Sequence, residues 1–211
     1  RGFLVGHGNI RACVLGYEDR EPDSNELAAM EQELRDAMES GAFGMSSGLV
    51  YPPGCYAKTD ELITLCKIVR EYNGIYATHM RDEGDNLEAA LGETINISKE
   101  SGANTQVSHI KTWGEKNWWK IDKIESLIED ARAKGIKITC DRYPYTAAAT
   151  DLDIILPDWV YEGGNTEEKK RLGDPLCRER IIKEMEQEDL SQEFWGTIMI
   201  SSVFNKEKRS Y

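Results

Sequence analysis

Two stretches of this sequence decide its fold, and both end in histidine: Gly74-Ile75-Tyr76-Ala77-Thr78-His79 and Asn104-Thr105-Gln106-Val107-Ser108-His109. Each is a short run rich in β-branched or aromatic residues that begins at a glycine or asparagine turn and is followed by a polar, helix-like stretch. These features are typical of a buried strand. The two histidines lie about 30 residues apart, the length of one strand-plus-helix unit. The sequence therefore predicts two neighbouring parallel strands with a histidine at the end of each.

Strand-like and helix-like stretches alternate along most of the chain. We predict strands at residues 3–5, 42–50, 74–79, 104–109 and 136–143, and helices at 24–40, 60–72, 86–100 and 121–134. Farther on, we predict irregular structure at 152–164, a helix at 175–189 and a strand at 197–203. Short connections between alternating strands and helices imply parallel strands with right-handed crossovers.

Both a doubly wound sheet and part of an eight-stranded (β/α) barrel fit this alternation. The first strand runs into Gly6-His7-Gly8, which lacks the third glycine of a nucleotide-binding loop and which we interpret as a turn followed by a loop to Ser24. Polar residues also follow several strands rather than one. The sequence therefore favours an α/β fold of the barrel type.

Composition narrows the class of protein. The 211 residues carry a net charge of −12, with 40% hydrophobic and 30% charged residues. This charge argues against nucleic-acid binding through a basic surface, and no apolar run is long enough to cross a membrane. The five cysteines have neither zinc-finger nor redox spacing, which favours free thiols and a cytoplasmic location.

The paired histidines predict a metal site. Neighbouring parallel strands lie about 5 Å apart, so His79 and His109 could share one ion, and catalytic zinc commonly takes two or three protein ligands plus a water. The alternative is that each imidazole caps its strand and binds nothing. His7, at the end of an earlier strand, could also face this site.

Lys111 lies two residues beyond His109, on the same side of an extended strand. It could bind a substrate carboxylate or stabilise developing negative charge, although a solvated loop lysine is the commoner case. Arg81, Asp82 and Glu83 follow His79 and could orient the imidazoles.

Four motifs together resemble the N-acyl-D-amino-acid deacylases, the D-aminoacylases of the amidohydrolase superfamily. They are Gly-Ala-Phe-Gly-Met-Ser-Ser-Gly-Leu-Val-Tyr-Pro-Pro-Gly at 41–54, Tyr-Ala-Thr-His-Met-Arg-Asp-Glu-Gly at 76–84, Ser-His-Ile-Lys at 108–111 and Asp-Arg-Tyr-Pro-Tyr-Thr-Ala at 141–147. The resemblance extends from the first residues to about Gly164 and weakens beyond it.

The resemblance implies a partial TIM-type (β/α) barrel, strands three to seven, over residues 1–164, with 165–211 beginning the insertion that follows strand seven. It implies that His79 and His109 ligate zinc, one or two ions in the intact enzyme. Tyr51, Lys111 and Tyr143 are then substrate-binding residues. The implied reaction is hydrolysis of an N-acyl-D-amino acid.

Several family features fall outside this sequence. The His-x-His motif of strand one, the bridging cysteine of strand two and the catalytic aspartate of strand eight have no counterpart here. We therefore interpret the chain as a central fragment that is inactive alone, with no catalytic residue of its own and barrel edges that a homo-oligomer or further chain covers. The run Ala147-Ala148-Ala149 replaces an Ala-Gly-Ser common in the family and leaves the acyl and side-chain preference open.

Two other functions are compatible with the sequence. A cyclic amidase of the same superfamily usually needs a carboxylated lysine on strand four, and residues 42–50 contain no lysine. A non-catalytic barrel remnant or assembly module would keep the histidines only as strand caps. Metal content separates this module from an enzyme.

Overall fold

The computed structural model describes residues 2–187 and 192–201 and contains a parallel sheet of five strands. The strands are β1 Leu4–Gly6, β2 Gly44–Gly48, β3 Ile75–His79, β4 Asn104–Val107 and β5 Ile138–Cys140. Their order in the sheet is their order in the chain, β1-β2-β3-β4-β5. A doubly wound sheet reverses its strand order at a switch point, whereas a barrel adds each strand to the same edge. The fold is therefore α/β with the strand arrangement of a partial (β/α) barrel, as predicted.

The described helices include those predicted at 24–40, 60–72, 86–100, 121–134 and 175–189 and three that were not predicted, at 7–15, 165–173 and 192–196. They are α1 His7–Leu15, α2 Ser24–Glu39, α3 Thr59–Glu71, α4 Leu87–Ser101, α5 Ile121–Ala133, α6 Asn165–Gly173, α7 Pro175–Met185 and α8 Gln192–Gly196. Helix α2 begins one residue later than its cap: the Asp23 carboxylate accepts hydrogen bonds from the backbone N–H groups of Asn25 and Glu26. The Glu26 side chain accepts from the Asp23 N–H in return, which completes a capping box.

Apolar side chains from the helices pack on the outer face of the sheet in two clusters. One cluster lies among α1, α2, α3, β2 and β3 and includes Met30, Leu34, Met45, Leu65 and Tyr76. The other lies among α4, α5, β4 and β5 and includes Leu87, Leu91, Val107, Ile124 and Ile138. Because all five strands are parallel, their carboxyl ends share one edge of the sheet.

The prediction of a turn and loop after β1 was wrong. Gly6-His7-Gly8 leads directly into helix α1, although two glycines flank its first residue and glycine is a poor helix former. Tertiary contacts compensate, because Ile10 and Leu15 are buried in the core and the guanidinium of Arg11, fully buried, is hydrogen-bonded to the Glu61 carboxylate of α3.

Residues 152–164 contain two short 3-10 turns, Leu152–Ile155 and Asp158–Val160, and otherwise have the irregular structure predicted for them. Helix α7 confirms most of the predicted helix at 175–189, whose residues 188–189 lie outside the described part. The predicted strand at 197–203 was wrong where it can be compared, since residues 197–201 form no strand; residues 202–203 lie outside the described ranges.

All five cysteines lie in the described ranges and are free thiols. Within the same ranges, no helix combines the length and the apolar character needed to span a membrane.

Candidate functional site

His79 and His109 meet at the carboxyl edge of the sheet. His79 is the last residue of β3, and β4 pairs with β3 so that Val107 lies beside Thr78. His109 follows two residues after Val107, and its ring centroid lies 4.6 Å from that of His79 in an edge-to-face arrangement. The sequence expectation that these two histidines share one site is therefore consistent with the fold.

The backbone at His109 is held in a left-handed conformation with φ of 41°. Such a φ is unfavourable for a residue other than glycine. Asp141, just after β5, stabilises it: one carboxylate oxygen accepts the His109 N–H at 2.6 Å, and the other accepts from the Gln106 side chain at 2.8 Å. The motif at 108–111 therefore depends on Asp141, in the motif at 141–147, for the direction in which its imidazole points.

Glu83 lies between the two imidazoles. Its Oε1 is 3.0 Å from His109 Nδ1, its Oε2 is 3.7 Å from His79 Nε2, and the residue is buried. Sequence reasoning named Glu83 only among three residues that could orient the imidazoles. Glu83 lies four residues after His79, and this spacing was the only sign of its position in the sequence. Because β3 ends at His79, the spacing does not determine where the Glu83 side chain points.

These three side chains form a donor set suited to a metal ion. One ligand atom from each of His79, Glu83 and His109 lies within 4.8 Å of the others. Burial lowers the pKa of His79 to about 4; the Glu83 charge opposes this shift, whereas His109 and Lys111 add to it. At neutral pH His79 is therefore neutral, which is the form that binds zinc.

Lys111 also points into this group, but not for the predicted reason. Strand β4 ends at Val107, so Lys111 is not on an extended strand. The left-handed turn at His109 brings its Nζ to 2.6 Å from both carboxylate oxygens of Glu83 and 2.9 Å from His109 Nδ1. Lys111 is half-buried, and the expectation of a solvated loop lysine was wrong.

Two tyrosines flank the histidines. The Tyr51 ring lies 5.1 Å from the His79 ring, and the Tyr143 ring lies 6.4 Å from the His109 ring and 5.5 Å from Lys111 Nζ. The Tyr51 hydroxyl hydrogen-bonds to the Thr150 hydroxyl at 3.0 Å. Partial burial, together with the Glu83 charge, raises the pKa of Tyr143, so its phenol keeps its proton at neutral pH.

The turn that carries Tyr51 packs closely against its surroundings. A Cβ on Gly54 would lie 2.6 Å from the Gly48 carbonyl oxygen and 3.9 Å from His7 Nδ1, so only glycine fits there. Arg81 supports the same turn by donating to the Cys55 and Ala57 carbonyl oxygens, and it pairs with Glu93. Arg81 therefore does not orient the imidazoles.

His7 does not join the two histidines. It is fully buried, and its Nε2 lies 2.7 Å from an Oε1 of Glu61, whose other oxygen accepts from Arg11. The possibility that His7 faces the site was wrong: its one described hydrogen bond is to this network between α1 and α3.

No family model matches the sequence, but comparison with known proteins identifies relatives of this chain. The chain is 42% identical over 149 residues to a D-aminoacylase and 37% identical over 155 residues to an N-acyl-D-glutamate deacylase, both from Alcaligenes xylosoxydans xylosoxydans. These matches cover 71% and 74% of the chain and 31% of each relative.

Solved structures of deacylases also match this chain. An N-acyl-D-glutamate deacylase from Bordetella bronchiseptica, complexed with zinc and a phosphonate inhibitor, matches with a TM-score of 0.66 and 36% identity over 68% of this chain and 30% of that one. A crystal structure of D-aminoacylase matches with a TM-score of 0.66 and 40% identity over 69% of this chain and 30% of that one. The chain thus spans about 30% of the length of these relatives. The matched part of the chain belongs to the D-aminoacylase family of amidohydrolases, as its four motifs predicted.

Proposed function

We propose that this chain forms the metal-binding arc of a zinc-dependent deacylase that releases D-amino acids from N-acyl-D-amino acids. The observation that carries the proposal is the convergence of His79, Glu83 and His109 beside Lys111 at the carboxyl edge of the sheet. In (β/α) barrels this edge is where active sites are found.

His79 and His109 would bind the zinc, and Glu83 is within reach as a third donor. When bound, zinc polarises the amide carbonyl and lowers the pKa of water to supply the nucleophile. The relative complexed with zinc supports this assignment, and the proposed site takes one or two ions.

The remaining residues bind and orient the substrate. Lys111 brings a positive charge to a half-buried place, where it can bind the carboxylate of an N-acyl-D-amino acid or stabilise charge that develops on the amide oxygen. Tyr51 and Tyr143 present hydroxyls on the two sides of the histidines. Because Tyr143 keeps its proton, its phenol can donate a hydrogen bond to the substrate.

Several further features belong to the same proposal. Residues 1–164 form the barrel part of the catalytic domain, and 165–211 begin the insertion after strand seven. The protein is cytoplasmic, which its five free cysteines support, and its exposed barrel edges pair in a homo-oligomer unless further chain covers them.

The test uses protein expressed from the complete reading frame that contains these 211 residues. Bound zinc and the release of free amino acid from N-acetyl-D- and N-acetyl-L-amino acids are measured for wild type, His79→Ala and His109→Ala. We expect zinc and D-selective hydrolysis in the wild type and the loss of both in each variant. Zinc without amidase activity would contradict the deacylase assignment, and a folded protein without metal would leave the histidines as structural residues.

A further inference from the structure

Lys111 occupies the position of a cation within the donor set. Its Nζ lies 2.6 Å from each carboxylate oxygen of Glu83 and 2.9 Å from His109 Nδ1. A lysine ammonium has three N–H donors and no acceptor, so it donates to both carboxylate oxygens of Glu83 and also lies in contact with His109 Nδ1.

The residues that surround this ammonium also belong to the candidate metal-binding group. One ligand atom from each of His79, Glu83 and His109 lies within 4.8 Å of the others. Zinc binds such atoms at about 2.0–2.2 Å. An ion bound by Glu83 and His109 would use donor atoms of the same two side chains that the ammonium contacts, and the two positive charges would repel each other.

We propose that Lys111 and the metal ion compete for one cradle, formed by Glu83 and His109, so that metal loading releases Lys111 toward the substrate. This inference rests on the proposed function, because it takes zinc as the ion and the N-acyl-D-amino acid as the anion that Lys111 meets. In this structure the ammonium neutralises the Glu83 carboxylate, which is buried and costly to leave unpaired.

The release has a structural path. Lysine has a flexible four-carbon stem with a compact charge at its end, and the Tyr143 ring already lies 5.5 Å from Nζ. Once the metal takes the cradle, the ammonium can move over this ring without leaving the site. The charge that balances Glu83 before loading is then free to bind a substrate carboxylate.

Zinc affinity tests the competition directly. Metal-free protein from the complete reading frame is titrated with zinc against a chromophoric chelator, for wild type, Lys111→Met and Lys111→Arg. A competitor that fills the cradle nine-tenths of the time weakens apparent affinity about tenfold, so we expect Lys111→Met to bind zinc about tenfold more tightly. Lys111→Arg keeps the charge and should remain close to wild type. Equal or weaker binding by Lys111→Met would overturn the proposal.

Lysine labelling supplies a second readout that does not depend on activity or on a variant. Metal-free and zinc-loaded protein are treated briefly with an amine acylating reagent, and labelling of Lys111 is compared by mass spectrometry with that of exposed Lys123. We expect zinc to increase the labelling of Lys111 severalfold and to leave Lys123 unchanged. Unchanged or decreased labelling of Lys111 would contradict its release.

The zinc titrations distinguish a wrong competition between Lys111 and zinc from a wrong metal site. If wild type and Lys111→Met bind zinc equally and both need His79, the competition is wrong while the metal site stands. If zinc does not bind, or binds equally without His79 and His109, the proposed function and the competition are both wrong.

Discussion

At the scale of single residues, Asp141 determines where His109 points. Its carboxylate accepts the His109 N–H at 2.6 Å and thereby stabilises a left-handed backbone that an uncompensated histidine would avoid. Partners that orient a metal ligand typically contribute 10- to 100-fold in metal affinity. We therefore expect Asp141→Ala to weaken zinc binding by about 10- to 100-fold, measured by chelator competition.

Asp130 offers the matched control, since it is an exposed aspartate on α5. Asp130→Ala should bind zinc like the wild type, and Asp141→Asn, which keeps an acceptor oxygen, should lose less affinity than Asp141→Ala. Wild-type zinc affinity in Asp141→Ala would show that the turn at His109 does not need this carboxylate.

At the scale of secondary-structure elements, a buried network joins α1 to α3. Glu61 of α3 accepts from His7 Nε2 at 2.7 Å and from Arg11, and all three residues are buried. Removing one partner of a buried charged pair costs about 3–5 kcal/mol. We expect Glu61→Gln to lower the free energy of unfolding by about that amount at neutral pH in urea titrations. Glu71→Gln, on the same helix but in an exposed pair with Arg35, should leave the free energy of unfolding nearly unchanged.

The same network predicts a pH dependence. Burial alone would raise the pKa of Glu61, but the hydrogen bond from His7 and the charge of Arg11 outweigh burial and lower it from the ordinary value of 4.5. A lowered pKa in the folded state contributes stability above the unfolded value and loses it as pH falls through the folded value. The difference in free energy of unfolding between wild type and Glu61→Gln should therefore decrease as the pH falls below about 4.5. A difference that increases in acid would show that the Glu61 charge does not stabilise the fold.

At the scale of the whole molecule, the described sheet has two open edges, because β1 and β5 each pair with one neighbour. Unpaired strand edges favour association with other chains. We expect the 211-residue chain expressed alone to self-associate in light scattering, and Cys140→Lys on β5 to reduce that association by placing a charge at the edge. Cys13→Lys, at an exposed cysteine of α1, controls for loss of a thiol and gain of a charge. If Cys140→Lys and Cys13→Lys self-associated to the same extent, the β5 edge would be excluded as the surface through which the chains associate.

The sequence predicted the sheet because its strands and helices have distinct periods. Helices α3 and α5 each present an apolar face at helical spacing, and the strands before His79 and His109 are short and β-branched. Helix α1 escaped prediction because glycines flank His7 and its stability comes from Glu61, which is distant in sequence. Helix α6 was missed for the opposite reason: Asn165–Gly173 is polar on nearly every side and has no apolar period to detect.

The candidate site was predictable in its residue types but not in its geometry. The adjacency of His79 and His109 could be predicted, because the residue period and the length of the two strands determine how the strands pair. The place of Glu83 between them depends on an irregular turn, and the approach of Lys111 depends on the left-handed backbone of His109 and on Asp141 from another strand. Tyr51 and Tyr143 would be read as packing residues without the family resemblance, since aromatic turns are common.

Anomalous diffraction at the zinc edge, from crystals of protein expressed from the complete reading frame, locates a bound zinc ion directly. We expect an anomalous peak in contact with both His79 and His109, at the carboxyl edge of β3 and β4, with the Lys111 ammonium displaced from Glu83. A zinc peak elsewhere, or imidazoles bonded only to protein atoms in crystals grown with zinc, would contradict this expectation.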